Sequence, residues 1–262
     1  MLKYKIVPLL LLFLYLTAFQ DAPQKTTTPT TETIAFRQNT FDIYRVDLAH
    51  DNLCLYWKNE DGENLRSLKN LKEHVEGLGE NLLFATNAGM YLQDRSPQGL
   101  YVENGKVLKS LNFLKSLKTK PTPNFYLMPN GVFYITDNNV PKVVETSEFK
   151  KTKDSVQWAT QSGPLLLHNN KIHSKFVDGS KNKHIRSGVG ILNDHELIFA
   201  ISNERVSFYD FALFYQEILG CKDALYLDGA ISRMYIEESG RLDGGGDFGV
   251  MIGVTGQVTR GE

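Results

Sequence analysis

The sequence predicts an α+β fold, a strand-rich mixed β-sheet core with two or three helices, built as a single domain over residues 34–262. Three observations predict it. Short apolar runs recur along the chain and stop at Asn, Asp, Gly or Pro, as strands between turns do. Leu65–Leu78 and Phe208–Leu219 carry apolar residues at the three- and four-residue spacing of a buried helix face. After one Thr/Pro-rich stretch near the start no second low-complexity linker follows, and a remainder of about 230 residues suits one core-bearing domain.

The chain opens with Lys3 and Lys5 ahead of an apolar run, Ile6–Phe19, which is short for a membrane span. Residues 1–22 therefore read as a secretory signal, with an uncleaved anchor as the competing reading, and the expected location is secreted or periplasmic. Membrane contact is expected only through this segment. Residues 23–33, dominated by Thr and Pro, lack the apolar surface to fold and read as a disordered tether. With 29 basic against 30 acidic side chains, no global field points to nucleic acid. Cys54 and Cys221 sit beside apolar runs, which leaves a disulfide and two buried thiols equally open. Without a CxxC or Cys/His pattern, no zinc site is expected.

In order, Asp42–Leu48 and Leu53–Trp57 read as a strand hairpin. The first helix then closes at Gly77 and Gly79. Leu82–Thr86 is a strand ending in the polar break Asn87-Ala88-Gly89. Gln98–Glu103, Asn124–Met128 and Val132–Thr136 read as further strands, with Asn104-Gly105 and Asn130-Gly131 as type I′ turns. Trp158–Gln161 and Leu165–Leu167 form one apolar run, kinked at Ser162-Gly163-Pro164 by either a bulge or an anion-holding nest of backbone N–H groups. Val189–Leu192 and Leu197–Ser202 pair as a hairpin. Ser207 caps the second helix, Gly220 closes it, and a strand–helix–strand unit ends at Ala224–Leu227. The Gly-rich loop Asp243–Asp247 lacks nucleotide-binding spacing, and Phe248–Val254 is the closing strand.

Polar breaks at strand ends are the candidate site. Ala224–Leu227 is a buried-strand run that stops at Asp228-Gly229, delivering a carboxylate to the edge of the core, although Asp-Gly is also a common tight turn. Arg186 enters a Gly-flanked strand, where its planar fork of donors suits two-point contact with a phosphate or carboxylate. A solvated surface Arg is the ordinary alternative.

Taken together, Asn87-Ala88-Gly89-Met90-Tyr91, Gln161-Ser162-Gly163-Pro164-Leu165, Arg186-Ser187-Gly188-Val189-Gly190, Asn203–Ala212 and Leu225-Tyr226-Leu227-Asp228-Gly229 resemble the successive motifs of the phosphodiester glycosidase family. The resemblance keeps the motif order from about Leu53 to Val254 and is nearest the family's bacterial branch. It implies hydrolysis of a sugar-1-phosphate diester to free sugar and a phosphomonoester, in exopolysaccharide or cell-envelope glycan metabolism. The rival reading is a non-catalytic binding domain for a phosphorylated or anionic envelope polysaccharide.

Cleaving such a bond builds positive charge on the sugar ring and negative charge on the departing phosphate. Asp228 is the expected catalytic carboxylate, with Asn87 and Asn203 orienting the reacting groups. Arg186, Ser162 and Gly163 are expected to hold phosphate, with Gly89, Gly229 and Ser232 completing the substrate site. A second carboxylate is open among Asp94, Asp178 and Glu204. No cofactor is expected, and a divalent cation at Asp228 finds no dense acidic cluster to support it.

Overall fold

The computed structural model describes residues 30–114, 121–228 and 231–257. The signal at 1–22, most of the tether and Gly229 lie outside the described residues.

The first strands are β1 (Thr31–Phe36), β2 (Asn39–Asp47) and β3 (Asn52–Tyr56), followed by α1 (Leu68–Gly77) and β4 (Glu80–Asn87). Next come β5 (Tyr101–Glu103), β6 (Lys106–Lys109), β7 (Gly131–Thr136), β8 (Pro141–Glu145) and the single turn α2 (Thr146–Phe149). β9 (Val156–Ser162), β10 (Leu165–His168), β11 (Lys171–Ile172), β12 (Ser187–Ile191) and β13 (Glu196–Ser202) lead to α3 (Phe208–Leu213). The chain ends with β14 (Ala224–Leu227), β15 (Met234–Ile236), β16 (Arg241–Leu242) and β17 (Met251–Gln257).

These strands form three sheets, ordered β1-β2-β13-β12-β14-β10-β11, β16-β15-β4-β17-β3 and β6-β5-β9-β7-β8. They share one core, in which Phe84 of the second sheet stacks on Tyr44 (4.3 Å) and packs, tilted, against Phe199 (5.0 Å) of the first. Phe133 of the third sheet meets the same Phe199 at 6.3 Å. Period-two alternation sends Leu225 and Leu227 of β14 into this core, while Ala224 and Tyr226 face the opposite side under α3. α1, capped by Ser67, covers the outside of the second sheet with Leu68, Leu71 and Val75. Each such side chain contributes about 1.5–3 kcal/mol when fully buried.

Several expectations are corrected. β2 and β3 are strands but not a hairpin, because β2 pairs with β1 and β13 while β3 pairs with β17, and the turn between them carries the chain from one sheet to another. The first strand starts at Thr31, inside the stretch read as tether, where its pairing with β2 is reinforced by Thr33 Oγ1 donating to Asp42 (2.6 Å). Asn124–Tyr126 is a 3-10 turn, not a strand. Asn130-Gly131 is no hairpin turn, since buried Asn130 donates to Phe125 O (2.9 Å) and Gly131 begins β7. Asn104-Gly105 is the turn predicted, with φ of 49° and 73°. The second helix changes to a π-helical turn at Phe214–Ile218. Every described strand pairing is antiparallel; the strand–helix–strand unit leaves β13 and β14 parallel with β12 between them. Cys54 and Cys221 are free thiols, and burial pushes the first up to about 11 and the second up to about 12.

Candidate active site

Four polar strand ends meet where the three sheets converge. β4 ends at Asn87, and the next residue, Ala88, accepts a hydrogen bond from the Asp228 N–H at the end of β14 (3.1 Å). β9 ends at Ser162, and two residues on, Pro164 O accepts from the Tyr226 N–H (3.2 Å). β12 begins at Ser187, which lies opposite Leu227, so Arg186 and Asp228 flank the last described pair of that ladder.

Asn87 is the hub. It is 1 % exposed, and its Oδ1 accepts from the Ser187 hydroxyl (3.1 Å) and the Arg233 N–H (3.0 Å). Ser232 Oγ lies 3.1 Å from Ser187 Oγ. One side chain thus ties β4, β12 and the lead into β15 together. Among the described residues, Asn87 Nδ2 and Ser162 Oγ are buried with no protein hydrogen-bond partner. A buried polar group left unpaired costs about 1–3 kcal/mol, so two of them at strand ends that converge on a buried carboxyl have the character of ligand-binding groups.

Gly89 and Gly163 have a packing reason to be glycine. A Cβ at Gly89 would stand 2.5 Å from Gln161 O, and one at Gly163 would stand 2.6 Å from Asn130 Cβ. Both close approaches bring β9 against its neighbours, so the kink at Gly163 is where the chain crosses from the third sheet to the first.

Arg186 departs from expectation. Its side chain is buried, donating from Nε to Val206 O (2.9 Å) and from an Nη to Asn182 O (3.1 Å), with Cζ 3.5 Å from the Phe208 ring centre. Burial depresses its basicity, and a hydrogen bond with the Tyr226 phenol opposes that. A fork committed in this way is not the freely presented phosphate grip the sequence suggested. Tyr226, hidden in an apolar run, is the residue sequence reasoning missed: burial pushes its phenol up to about 12, Arg186 opposes the rise and the Asp228 charge adds to it. Tyr91, also raised to about 12 by burial, feels the same Asp228 charge from the opposite strand end. No sequence signal marks Tyr226, which sits inside the apolar run Ala224–Leu227.

Among the described residues Asn203 shares no hydrogen bond with Asn87, Ser187 or Ser232. It is exposed, donating to Thr40 Oγ1 (3.3 Å) and Asp42 (3.2 Å) and accepting from Arg241 (2.8 Å). The three further carboxylates are engaged elsewhere: Asp94 with Ser96 (2.7 Å), Asp178 with Arg37 (3.2 Å) and Glu204 with the Thr40 N–H (2.6 Å). Among the described residues no three His, Cys, Asp or Glu side chains gather as a cation site requires.

The free Ser162 hydroxyl allows a direct check. Ser162→Ala is expected to leave stability unchanged within about 0.5 kcal/mol, since no protein hydrogen bond is lost, while weakening ligand affinity roughly five- to tenfold. Thermal unfolding and calorimetric titration read the two effects separately.

The model of the family described as phosphodiester glycosidase matches residues 80–255, which contain Asn87, Ser162, Ser187, Asp228 and Ser232. The uncharacterized protein YigE of Escherichia coli strain K12 is 34 % identical over 198 residues, spanning 76 % of this chain and 75 % of the relative. The fold is similar to the catalytic domain of zebrafish N-acetylglucosamine-1-phosphodiester alpha-N-acetylglucosaminidase, auto-inhibited by its pro-peptide, with a TM-score of 0.58, 13 % identity and coverage of 87 % of this chain and 84 % of that one. The chain belongs to the phosphodiester glycosidase family.

Proposed function

We propose that this protein hydrolyses a glycosyl phosphodiester, releasing free sugar and a phosphomonoester. The observation that carries the reading is the buried Asp228 carboxyl at the meeting of strand ends where two polar atoms, Asn87 Nδ2 and Ser162 Oγ, find no partner among the described residues. Family membership supports the reaction class, and the site supplies groups suited to it. A carboxylate stabilises the positive charge that develops at the anomeric carbon. The Asn87 amide and the Ser162 hydroxyl donate to substrate oxygens, which are the acceptors a phosphate or sugar offers. Water supplies the hydroxyl of the released sugar. A phosphomonoester is a good leaving group, so strong protonation of the departing oxygen is not required and one carboxylate suffices. A phosphate-bearing exopolysaccharide or envelope glycan is the proposed physiological substrate class, met outside the cytoplasm after export.

The test is a panel of sugar-1-phosphodiesters, with matching uncharged glycosides as controls, incubated with the purified chain. Hydrolysis of at least one phosphodiester, with a phosphomonoester as product and the glycosides untouched, is expected. Tight binding of the phosphodiesters without turnover would instead make the domain a binder of phosphorylated glycans.

A further inference from the structure

We infer that the outer face of the third sheet is a membrane-docking surface, which seats exposed apolar side chains in a bilayer that carries anionic headgroups. This contact is additional to the N-terminal segment and independent of the chemistry proposed at Asp228.

The outer faces of the three sheets are covered unequally. α1 lies over the second sheet and α3 over the first. Among the described residues, the helix packed on the third sheet is the single turn α2. The outer apolar cluster of that sheet, centred on Val102, Val132 and Tyr134, is therefore fringed by the half-buried Leu111, Val144, Phe149 and Val156. Val107, Leu111, Phe113 and Phe149 line a hollow of about 510 Å³ above it, and Phe149 also walls a second of about 350 Å³ beside Tyr134 and Val144. At the rim Val107 is 64 % exposed and Phe113 49 %, with Leu108 and Leu114 exposed next to them. Single apolar side chains at a surface are ordinary, whereas a set gathered around one hollow marks an interaction site.

Charge selects the partner. Lys150 lines the first hollow, with its ammonium 5.0 Å from the Phe113 ring centre, and Lys151 lines the second. Lys106 and Lys109 bracket Val107 and Leu108 on β6, the edge strand, and Lys153 lies between the lining residues Thr152 and Asp154. Among the described residues these five lysines form no salt bridge, while the acids nearby are engaged. Asp154 pairs with Lys142 at 2.7 Å, Glu148 lies 3.2 Å from His168, and Glu103 accepts from the Tyr101 phenol. Apolar side chains ringed by unpaired lysines match a bilayer interface, where acyl chains take the former and anionic headgroups the latter. A second copy fits worse, because a two-fold contact would set the five lysines against themselves, and protein interfaces are depleted in Lys.

The test places an indole in the patch of the full chain by Phe113→Trp and adds vesicles containing brominated phosphatidylcholine, with and without phosphatidylglycerol. The chain that retains Phe113 supplies the background from Trp57 and Trp158. Quenching of the new indole is expected, at a lipid concentration at least about tenfold lower with phosphatidylglycerol than without, and weakened by salt. Adding Val107→Glu should raise the lipid needed at least about tenfold without shifting thermal unfolding, since the position is at the surface. An unquenched indole overturns the inference even where vesicles capture the chain through residues 1–22. So does a dimer in sedimentation that Val107→Glu dissolves while the indole stays unquenched, which would make the face a contact between copies. If Val107→Glu does not fold, Lys150→Gln with Lys151→Gln and Lys153→Gln decides in the same way: about a tenfold loss supports the inference, and unchanged quenching overturns it.

Discussion

Asp228→Asn is expected to lower kcat on a glycosyl phosphodiester by about 10³-fold or more, while leaving substrate affinity within a few-fold of the parent. The substitution keeps size and shape. The Asp228 N–H that bonds Ala88 O belongs to the main chain and survives the change. Asp228 has a φ of +20°, and Asn tolerates positive φ as readily as Asp does, so the backbone gains no new strain. What disappears is negative charge, the one property that stabilises a sugar ring as it becomes cationic. Affinity persists because the donors on Asn87 and Ser162 are untouched. Single-turnover kinetics beside calorimetric titration separates the two quantities. Undiminished turnover in a folded Asp228→Asn protein would move the chemistry to another group, and equal loss of turnover and binding would favour a binding module.

The strand ends that meet around Asn87 were legible because each has a local signature. A short apolar run followed by Asn-Ala-Gly, Ser-Gly-Pro or Asp-Gly marks a strand stopping at a polar break whichever sheet it joins. The helix cap at Ser207 and the Asn104-Gly105 turn are equally local, and the structure keeps both. What could not be read is which strand lies beside which. β2 and β3 look like a hairpin because they are adjacent in sequence, yet each finds a better apolar partner more than a hundred residues away, Phe199 on β13 and Ile252 on β17. Asn130-Gly131 has the dipeptide of a tight turn, but burial of the Asn amide against Phe125 O and Thr146 overrides the local preference. Asn203 ends a strand as Asn87 does. Its neighbours Asp42 and Arg241, distant in sequence, take its side chain into hydrogen bonds at the surface. Arg186 was recognised as special, but whether a guanidinium faces a ligand or a ring depends on Phe208, which no spacing rule connects to it.

Asn87→Leu should then show how the meeting of sheets is held. Leu has the same branched heavy-atom skeleton and is bulkier, so no cavity forms, but the Arg233 N–H and the Ser187 hydroxyl both lose the acceptor they share. Ser187 retains Ser232 Oγ at 3.1 Å as an alternative, whereas the Arg233 N–H depends on Asn87 Oδ1 among the described residues. Leaving one donor unpaired and weakening a second costs about 2–4 kcal/mol, which for a domain of this size lowers Tm by roughly 5–15 °C. The expected loss is much larger than that of Ser162→Ala, although both side chains are buried polar groups at strand ends. The contrast follows from direction: Asn87 Oδ1 serves the protein, while Asn87 Nδ2 and Ser162 Oγ have no hydrogen-bond partner among the described residues. A cycle of Asn87→Leu with Ser187→Ala should return a coupling of about 1 kcal/mol, since the second substitution removes a donor the first has stranded. Additive effects would mean that the two side chains do not depend on each other, and that main-chain bonds, the β12–β14 ladder and Asp228 N–H to Ala88 O among them, hold the end of β14 in register.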